Sequence, residues 1–548
     1  MRPDGKKEGL RQAMSWLHTW TGIALGWLLY AVFFTGTLSY FLDEINLWMR
    51  PELHRSVPTA DTVDKALAGM QTIAPGAAMW TLALPDARQT TVSASWREAG
   101  SQAVGRAGLK RAELDAGTGE AITARETRGG SFLYRFHFEL HAMPRNVARW
   151  IIGIATMFMF VAIISGVITH KKIFTDFFTF RPRKGQRSWL DAHNATAVLA
   201  LPFHLMITFS GLLLLMYMLM PWGLDAAYQG DRQAFAAERR AMGAGGGGQP
   251  PGEQRGRAGR QDGAMQAAAI GPMLTEASRQ WQGRTVGSIV VNRPGKPGST
   301  IELRENGSDS LSARGVSRRL VFDAGSGHLV SAPPVPEPSG ASAVYNVLTA
   351  THMGRFAGPA MRWLLFLSGV IGTAMVGTGL ALWIVKRLPE RRKLGRTPFG
   401  HRLIEVTNVG VMAGIALATA SYFWLNRLLP ADMAGRLDWE IKGFFIAWSL
   451  SLLHALLRPY RAAWIEQCIL VGLLFALLPL LNPLTGGHGL FTSLFNGQMS
   501  IAGFDLCMLA IAALFAFIAR KLIQKGRAAV PVAKKKPIPA VVSGEVAP

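Results

Sequence analysis

Cysteine is nearly missing from this 548-residue chain. The two present, Cys468 and Cys507, each lie inside an apolar run and form no CxxC pair, which excludes a disulfide framework and a cysteine-ligated iron–sulfur cluster. Charge is scarce too: Asp, Glu, Lys and Arg make up 17% of residues, where soluble domains carry about 25%. Acidic residues are the scarcer sign, 35 against 58 basic, which leaves a net charge of +23. There is no P-loop, no HExxH and no local signature of a Ser–His–Asp arrangement. Gly243–Arg260 contains a GxGxxG match, but no strand precedes it and no helical pattern follows closely. No nicotinamide or flavin fold is therefore expected. The N-terminus lacks a short apolar segment with a small-residue cleavage site, so its first apolar run reads as a retained helix.

Hydrophobic residues make up 49% of the chain and gather into runs of roughly 20, the length that crosses a hydrocarbon core. Eight runs qualify: 17–42, 150–169, 195–220, 363–385, 403–425, 443–457, 464–481 and 501–518, the sixth being shortest. The expected fold is mainly α, a polytopic membrane protein of about eight spans in a lipid bilayer. Basic residues fix its direction. They cluster before the first run (Arg2, Lys6, Lys7), between the second and third (Lys171, Lys172, Arg183), between the fourth and fifth (Lys386, Arg387, Arg391), between the sixth and seventh (Arg458, Arg461) and after the eighth (Lys534, Lys535, Lys536). All five clusters share one face when both termini are cytoplasmic. The basic balance then follows from topology and calls for no nucleic acid.

Two long connections, 43–146 and 222–359, must lie outside. Each holds strand-like alternation, at 90–96 in the first and at 288–292 and 300–303 in the second. The second also contains a Gly/Pro/Arg-rich linker, 243–263. The remaining segments are 1–42 (terminus and first span), 147–221 (second and third spans around a basic loop), 360–386 (fourth span), 387–402 (basic loop), 403–520 (four further spans) and 521–548 (basic tail).

The chain repeats itself. Asp115-Ala116-Gly117-Thr118-Gly119 in the first outer connection matches Asp323-Ala324-Gly325-Ser326-Gly327 in the second, each a glycine turn after a strand. His18 precedes Gly36 by eighteen positions, and His193 precedes Gly211 by the same number. His141 precedes Arg149-Trp150, and His352 precedes Arg362-Trp363 with two extra residues between. Parallel repeats are related by an axis along the membrane normal, so equivalent residues share a depth. His18 is then expected opposite His193 near the inner face, and His141 opposite His352 near the outer face. Two imidazoles at one depth suit axial ligation of haem iron.

His170 ends the second span, and His204 lies eleven residues after His193, about 16 Å deeper on a straight helix. Both are candidate alternative ligands or proton-path residues, His204 at the outer haem and His170 at the inner. His137 and His141, four apart, have a spacing that also suits a transition metal, with no obvious third ligand. Structural roles are expected for His54, His328, His401, His454 and His488.

The segments Leu17-His18-Thr19-Trp20-Thr21-Gly22, Ser165-Gly166-Val167-Ile168-Thr169-His170-Lys171-Lys172, Ser188-Trp189-Leu190-Asp191-Ala192-His193-Asn194 and Leu201-Pro202-Phe203-His204 resemble the PepSY-associated transmembrane helix family. The resemblance covers about residues 10–390. It implies a four-helix core with haem b, two groups by the histidine count, and two periplasmic α+β PepSY-like domains, in the bacterial inner membrane. It also implies an oxidoreductase that reduces ferric siderophore in the periplasm and releases ferrous iron, with electrons from a cytoplasmic donor or the quinol pool. Four further helices after Lys386 depart from the family pattern. Two other classes stay open at this point: a non-catalytic membrane module that binds a periplasmic partner, and a transporter of iron or siderophore.

Overall fold

The protein is described from a computed structural model, which covers residues 9–101, 108–170, 177, 180–182, 184–241, 268–307, 311–312, 317–335, 337–354 and 356–527. The linker 243–263 and the basic residues Arg2, Lys6, Lys7, Lys171, Lys172, Arg183 and Lys534–Lys536 lie outside the described residues.

Among the described residues, seven helices are long and apolar enough to cross a membrane, or eight when a bent pair counts as one span. The first half begins with α1 (Leu10–Leu38) and continues, past a 3₁₀ turn, into α2 (Leu42–Trp48). After α3 (Thr62–Ile73) come strands β1 (Ala77–Ala83), β2 (Val92–Glu98), β3 (Leu109–Leu114) and β4 (Ala121–Ile122). Short α4 (Gly130–Glu139) leads into the spanning α5 (Arg145–Thr169). The second half repeats this plan with α6 (Gln186–Leu199), α7 (Leu201–Leu214), α8 (Ile270–Gln280), β5 (Val286–Asn292), β6 (Thr300–Glu305), β7 (Arg319–Asp323), β8 (Leu329–Ser331), α9 (Gly340–Met353) and spanning α10 (Pro359–Leu394). The expected third span is broken: α6 and α7 meet at a 67° bend. Pro202 sits in the first turn of α7, where a missing N–H costs nothing, and Ala200 leaves helical geometry just before it.

The two outer modules share one sheet. Its order is β4-β3-β2-β1-β5-β6-β7-β8, every pair antiparallel. Equivalent strands β1 and β5 pair at the centre, Thr81 against Val290, as a two-fold axis through that point requires. Trp80, Leu82, Ile289 and Val291 alternate onto one face and bury against Met70 of α3 and Met273 of α8. The repeated glycine turns close the β3–β4 and β7–β8 hairpins. Asp115 Oδ1 accepts from Gly117 and Thr118 N–H at 2.8 and 2.9 Å, and Asp323 Oδ1 from Gly325 and Ser326 N–H at 3.1 and 2.8 Å. Gly119 and Gly327 supply the positive φ.

α1, α5, α6–α7 and α10 form a four-helix core. On α5 an outward row including Ile154, Met157, Val161 and Ile164 stays exposed, stable only where the surroundings are apolar. A second bundle follows: α11 (Phe399–Leu428, with a π-helical turn at Val409–Ala413), α12 (Arg436–Leu457), α13 (Tyr460–Leu484) and α14 (Met499–Arg527). Asn408 ties it to the core, accepting from Trp27 Nε1–H at 2.8 Å and donating to Leu380 O at 3.3 Å.

His54 sits fully buried where α2, the second bundle and the sheet module meet. Its Nε2–H donates to Leu47 O at 3.0 Å, and its Nδ1 accepts from His488 N–H at 3.1 Å, so it is neutral. Burial, helped by nearby Arg427, pushes its pKa down to about 3. The unfolded chain binds a proton at an ordinary histidine pKa of about 6.5 while the folded one does not. His54 therefore removes no stability above that value and increasingly more as pH falls toward 3. The melting temperature in detergent is expected to drop between pH 7 and 5, and His54→Gln to flatten that slope. Equal slopes in both proteins would contradict this.

Candidate functional site

On the side of the core away from the sheet, α1 and α6 bring His18 and His193 together with ring centroids 6.1 Å apart and ring planes at 63°. His18 Nδ1–H donates to Ala162 O on α5 at 2.8 Å, and His193 Nδ1–H to Met375 O on α10 at 2.9 Å. A carbonyl can only accept, so the proton belongs on Nδ1 and the lone pair on Nε2 is left for a metal. A glycine lies behind each ring: a Cβ at Gly166 would come within 3.2 Å of His18, and one at Gly379 within 3.1 Å of His193.

The sheet side carries the same device. His137 on α4 faces His352 in the last turn of α9, with centroids 6.2 Å apart. His137 Nδ1–H donates to Val32 O at 2.7 Å. The Ser210 hydroxyl donates to Met206 O at 2.5 Å, and its oxygen can accept from His352 Nδ1–H at 2.9 Å. A Cβ at Gly36 would stand 2.6 Å from the His137 ring, and one at Gly211 3.3 Å from His352. Each histidine thus has an Nδ1 partner and a backing glycine, and the glycines stand in repeat-related places.

This corrects the expected sheet-side pair. His141 does not face His352; it is exposed and stacks on Phe445 at 5.2 Å. The reason is where α4 stops. Leu140 caps it at φ 52°, so His141 starts the next turn pointing outward, while His137, one helical turn earlier, points into the core. The reading of His137 and His141 as a joint metal site fails for the same reason. His204 is also displaced from its expected place at the outer pair. The bend carries it to the cavity of His18 and His193, where its Nε2 is buried without a hydrogen-bond partner, beside Phe33 and Gly372. His170 lines that same cavity. His401 meets Trp383 edge-on at 5.5 Å and His454 pairs with Glu466 at 2.8 Å, both away from the two histidine pairs.

Each pair opens on a cavity, about 580 Å³ at His137 and His352 and about 280 Å³ at His18 and His193. Leu29 and Met159 line both and form part of the wall between them. Leu29 stands at the repeat position of His204, so the halves differ there. Arg88, Arg149 and Arg362 reach the larger cavity, Lys386 and Arg387 the smaller.

Among the described residues no group of three or more His, Cys, Asp or Glu is placed to hold a bare metal ion. Two opposed imidazoles suffice, however, where a porphyrin supplies the other four bonds. Two metal–nitrogen bonds of about 2 Å, with the ring radii added, put trans imidazole centroids about 6 Å apart. Both pairs meet that separation, and the glycines leave room for the rings. The residues present fit haem.

Fold and site define a class: a polytopic membrane protein whose four-helix core is built from two parallel repeats under a shared sheet, with an imidazole pair near each edge. The chain belongs to the family described as the PepSY-associated TM region, whose model matches residues 15–386. No curated protein matches the chain. The second bundle lies beyond the matched residues.

Proposed function

We propose that the protein is a haem-b reductase of the bacterial inner membrane, with both termini cytoplasmic. It passes electrons from a cytoplasmic donor or the quinol pool to ferric siderophore in the periplasm, which releases ferrous iron. The observation that carries this reading is the pair of facing imidazoles at each edge of the core, each ring oriented through Nδ1 with Nε2 left over. Haem iron with two imidazole ligands supplies one-electron transfer. The chain's own groups do the rest. The Nδ1 hydrogen bonds fix each ring and raise its basicity. The apolar walls of both cavities exclude water. The arginines at the sheet-side cavity and the basic pair at the other stand where carboxylate side groups of a porphyrin would reach charge. Each electron delivered outside converts one Fe(III) of the substrate to Fe(II), which holds hard oxygen ligands less tightly, and the chelate loosens.

Purified protein is expected to show a Soret band, a reducible α-band and two haems per chain. With dithionite-reduced protein, ferric siderophore should reoxidise it and yield Fe(II) trapped by a ferrous chelator. A colourless protein from haem-replete cells would end this reading. Iron movement into proteoliposomes without any reductant would favour a transporter instead.

A further inference from the structure

The two sheet-side ligand helices are equivalent by repeat but are not equally secure. α9 has fourteen residues, an N-cap at Ser339 that accepts from Ser342 N–H at 3.3 Å, and Gly354 in the left-handed region at its end. α4 has ten residues, no side-chain cap, and Leu140, a β-carbon-bearing residue, at φ 52°. A helix this short and uncapped is marginal alone and needs packing to hold it.

α1, α2 and α5 pack against α4 from its own half, and the second bundle adds aromatic contacts from the other side. Phe132 of α4 meets Tyr422 of α11 at 5.2 Å and Phe444 of α12 at 5.1 Å, and Phe136 meets Phe445 and Trp448, each at 5.9 Å. The strand entering α4 is gripped by the same two helices. Arg436 donates to Glu126 O at 2.6 Å, the Thr127 hydroxyl to Glu440 Oε2 at 2.6 Å, and the Tyr422 hydroxyl to Gly129 O at 3.0 Å. Arg436 and Glu440 are themselves a buried ion pair, exposed by 1% and 0%. Such a pair gives little net stability but fixes geometry, because moving either partner strands the other. α9 is held from its own half, by Tyr228 to Ser342 at 2.9 Å and Phe235 to Tyr345 at 6.0 Å, and by Tyr40 of the first half, whose hydroxyl donates to His352 O at 3.4 Å.

We propose that α11 and α12 act as a clamp that fixes the His137 ring, so that Tyr422, Glu440 and Phe444 are positioning residues for the sheet-side haem alone. The chain segment beyond the family match thus tunes one of the two sites. The proposal rests on the haem reading.

The test uses the full chain carrying Tyr422→Phe with Thr127→Val, which removes two bonds from the second bundle to the α4 entry, and with them the bond from Gly129 N–H to Thr127 Oγ1, and leaves the Arg436–Glu440 pair intact. Tyr422→Phe alone serves if the double variant is not recovered folded. Low-spin ferric EPR signals and midpoint potentials are assigned to each haem by comparison with His137→Ala and His193→Ala. The sheet-side signal and potential are expected to shift, with those of His18 and His193 unchanged. Amide exchange over Gly130–Glu139 should quicken about tenfold, as loss of these hydrogen bonds to a locally opening helix implies. Unchanged spectra and unchanged exchange would overturn the clamp, as would equal shifts at both haems. A wild type without haem would defeat the cytochrome reading separately, and the exchange rates of α4 would still decide whether the clamp exists.

Discussion

Replacing His137 by alanine is expected to lower the haem content from two per chain to one, and His141→Ala is expected to leave it at two. The geometry makes the distinction sharp. His137 stands 6.2 Å from His352, centroid to centroid, while His141 is exposed against Phe445. His352→Ala should give the same loss as His137→Ala, because each variant leaves the sheet-side pair with one imidazole in place of two. His193→Ala should remove the other haem, so that the two single variants leave complementary spectra. On the haem reading, reduction of ferric siderophore should collapse in all three, since each removes a ligand from the proposed electron path. Pyridine haemochrome quantification and EPR read the outcome. Full haem loading in His137→Ala, or loss of a haem in His141→Ala, would refute the assignment.

The second large effect is expected from a residue that binds nothing. In Gly36→Ala the new methyl would lie 2.6 Å from Cε1 and Nδ1 of His137, far inside the roughly 3.5–4.0 Å at which carbon atoms rest in contact. A flexible side chain could swing away, but this ring is held by its bond to Val32 O and must keep Nε2 toward His352. The ring or α4 must move. Haem affinity at that site should fall by about 10- to 100-fold, the usual cost of disturbing a group that orients a metal ligand. Gly211→Ala, whose methyl would meet His352 at 3.3 Å, should be much milder. Haem titration of the apoprotein measures both. Equal affinities in Gly36→Ala and wild type would remove the close packing from the argument.

Much of this arrangement was legible in the residues, and what was not has physical causes. The spans follow from run length, and the His18–His193 pair follows from identical spacing to Gly36 and Gly211. By sequence the sheet-side pair reads as His141 with His352, although His137 fits the repeat spacing no worse. His141 stands eight positions before Arg149 and His137 twelve, against ten from His352 to Arg362. What decides between them is the end of α4, and Leu140 gives no sign of it, since a leucine seldom takes a positive φ. The break before α7 was signalled by Pro202, yet a proline in a long apolar run does not say how far the chain turns. Pairing of β1 with β5 was invisible, because strands more than 200 residues apart carry no local mark of each other. The grip of α11 and α12 on α4 depends on Tyr422, Arg436 and Glu440, which a reading of apolar periodicity passes over.

The central β1–β5 seam has a consequence for the two halves. Cut between the halves, each piece would be left with one bare strand, an unsatisfied row of amides and carbonyls inviting any extended mate. The nearest mate of suitable shape is its own duplicate, in the antiparallel sense that β1 and β5 now adopt. A single half would therefore present that edge to a second copy of itself, with both histidine pairs assembled across the boundary between identical subunits. Joined in one polypeptide, the two copies are free to differ, and Leu29 at the position equivalent to His204 is one place where they do.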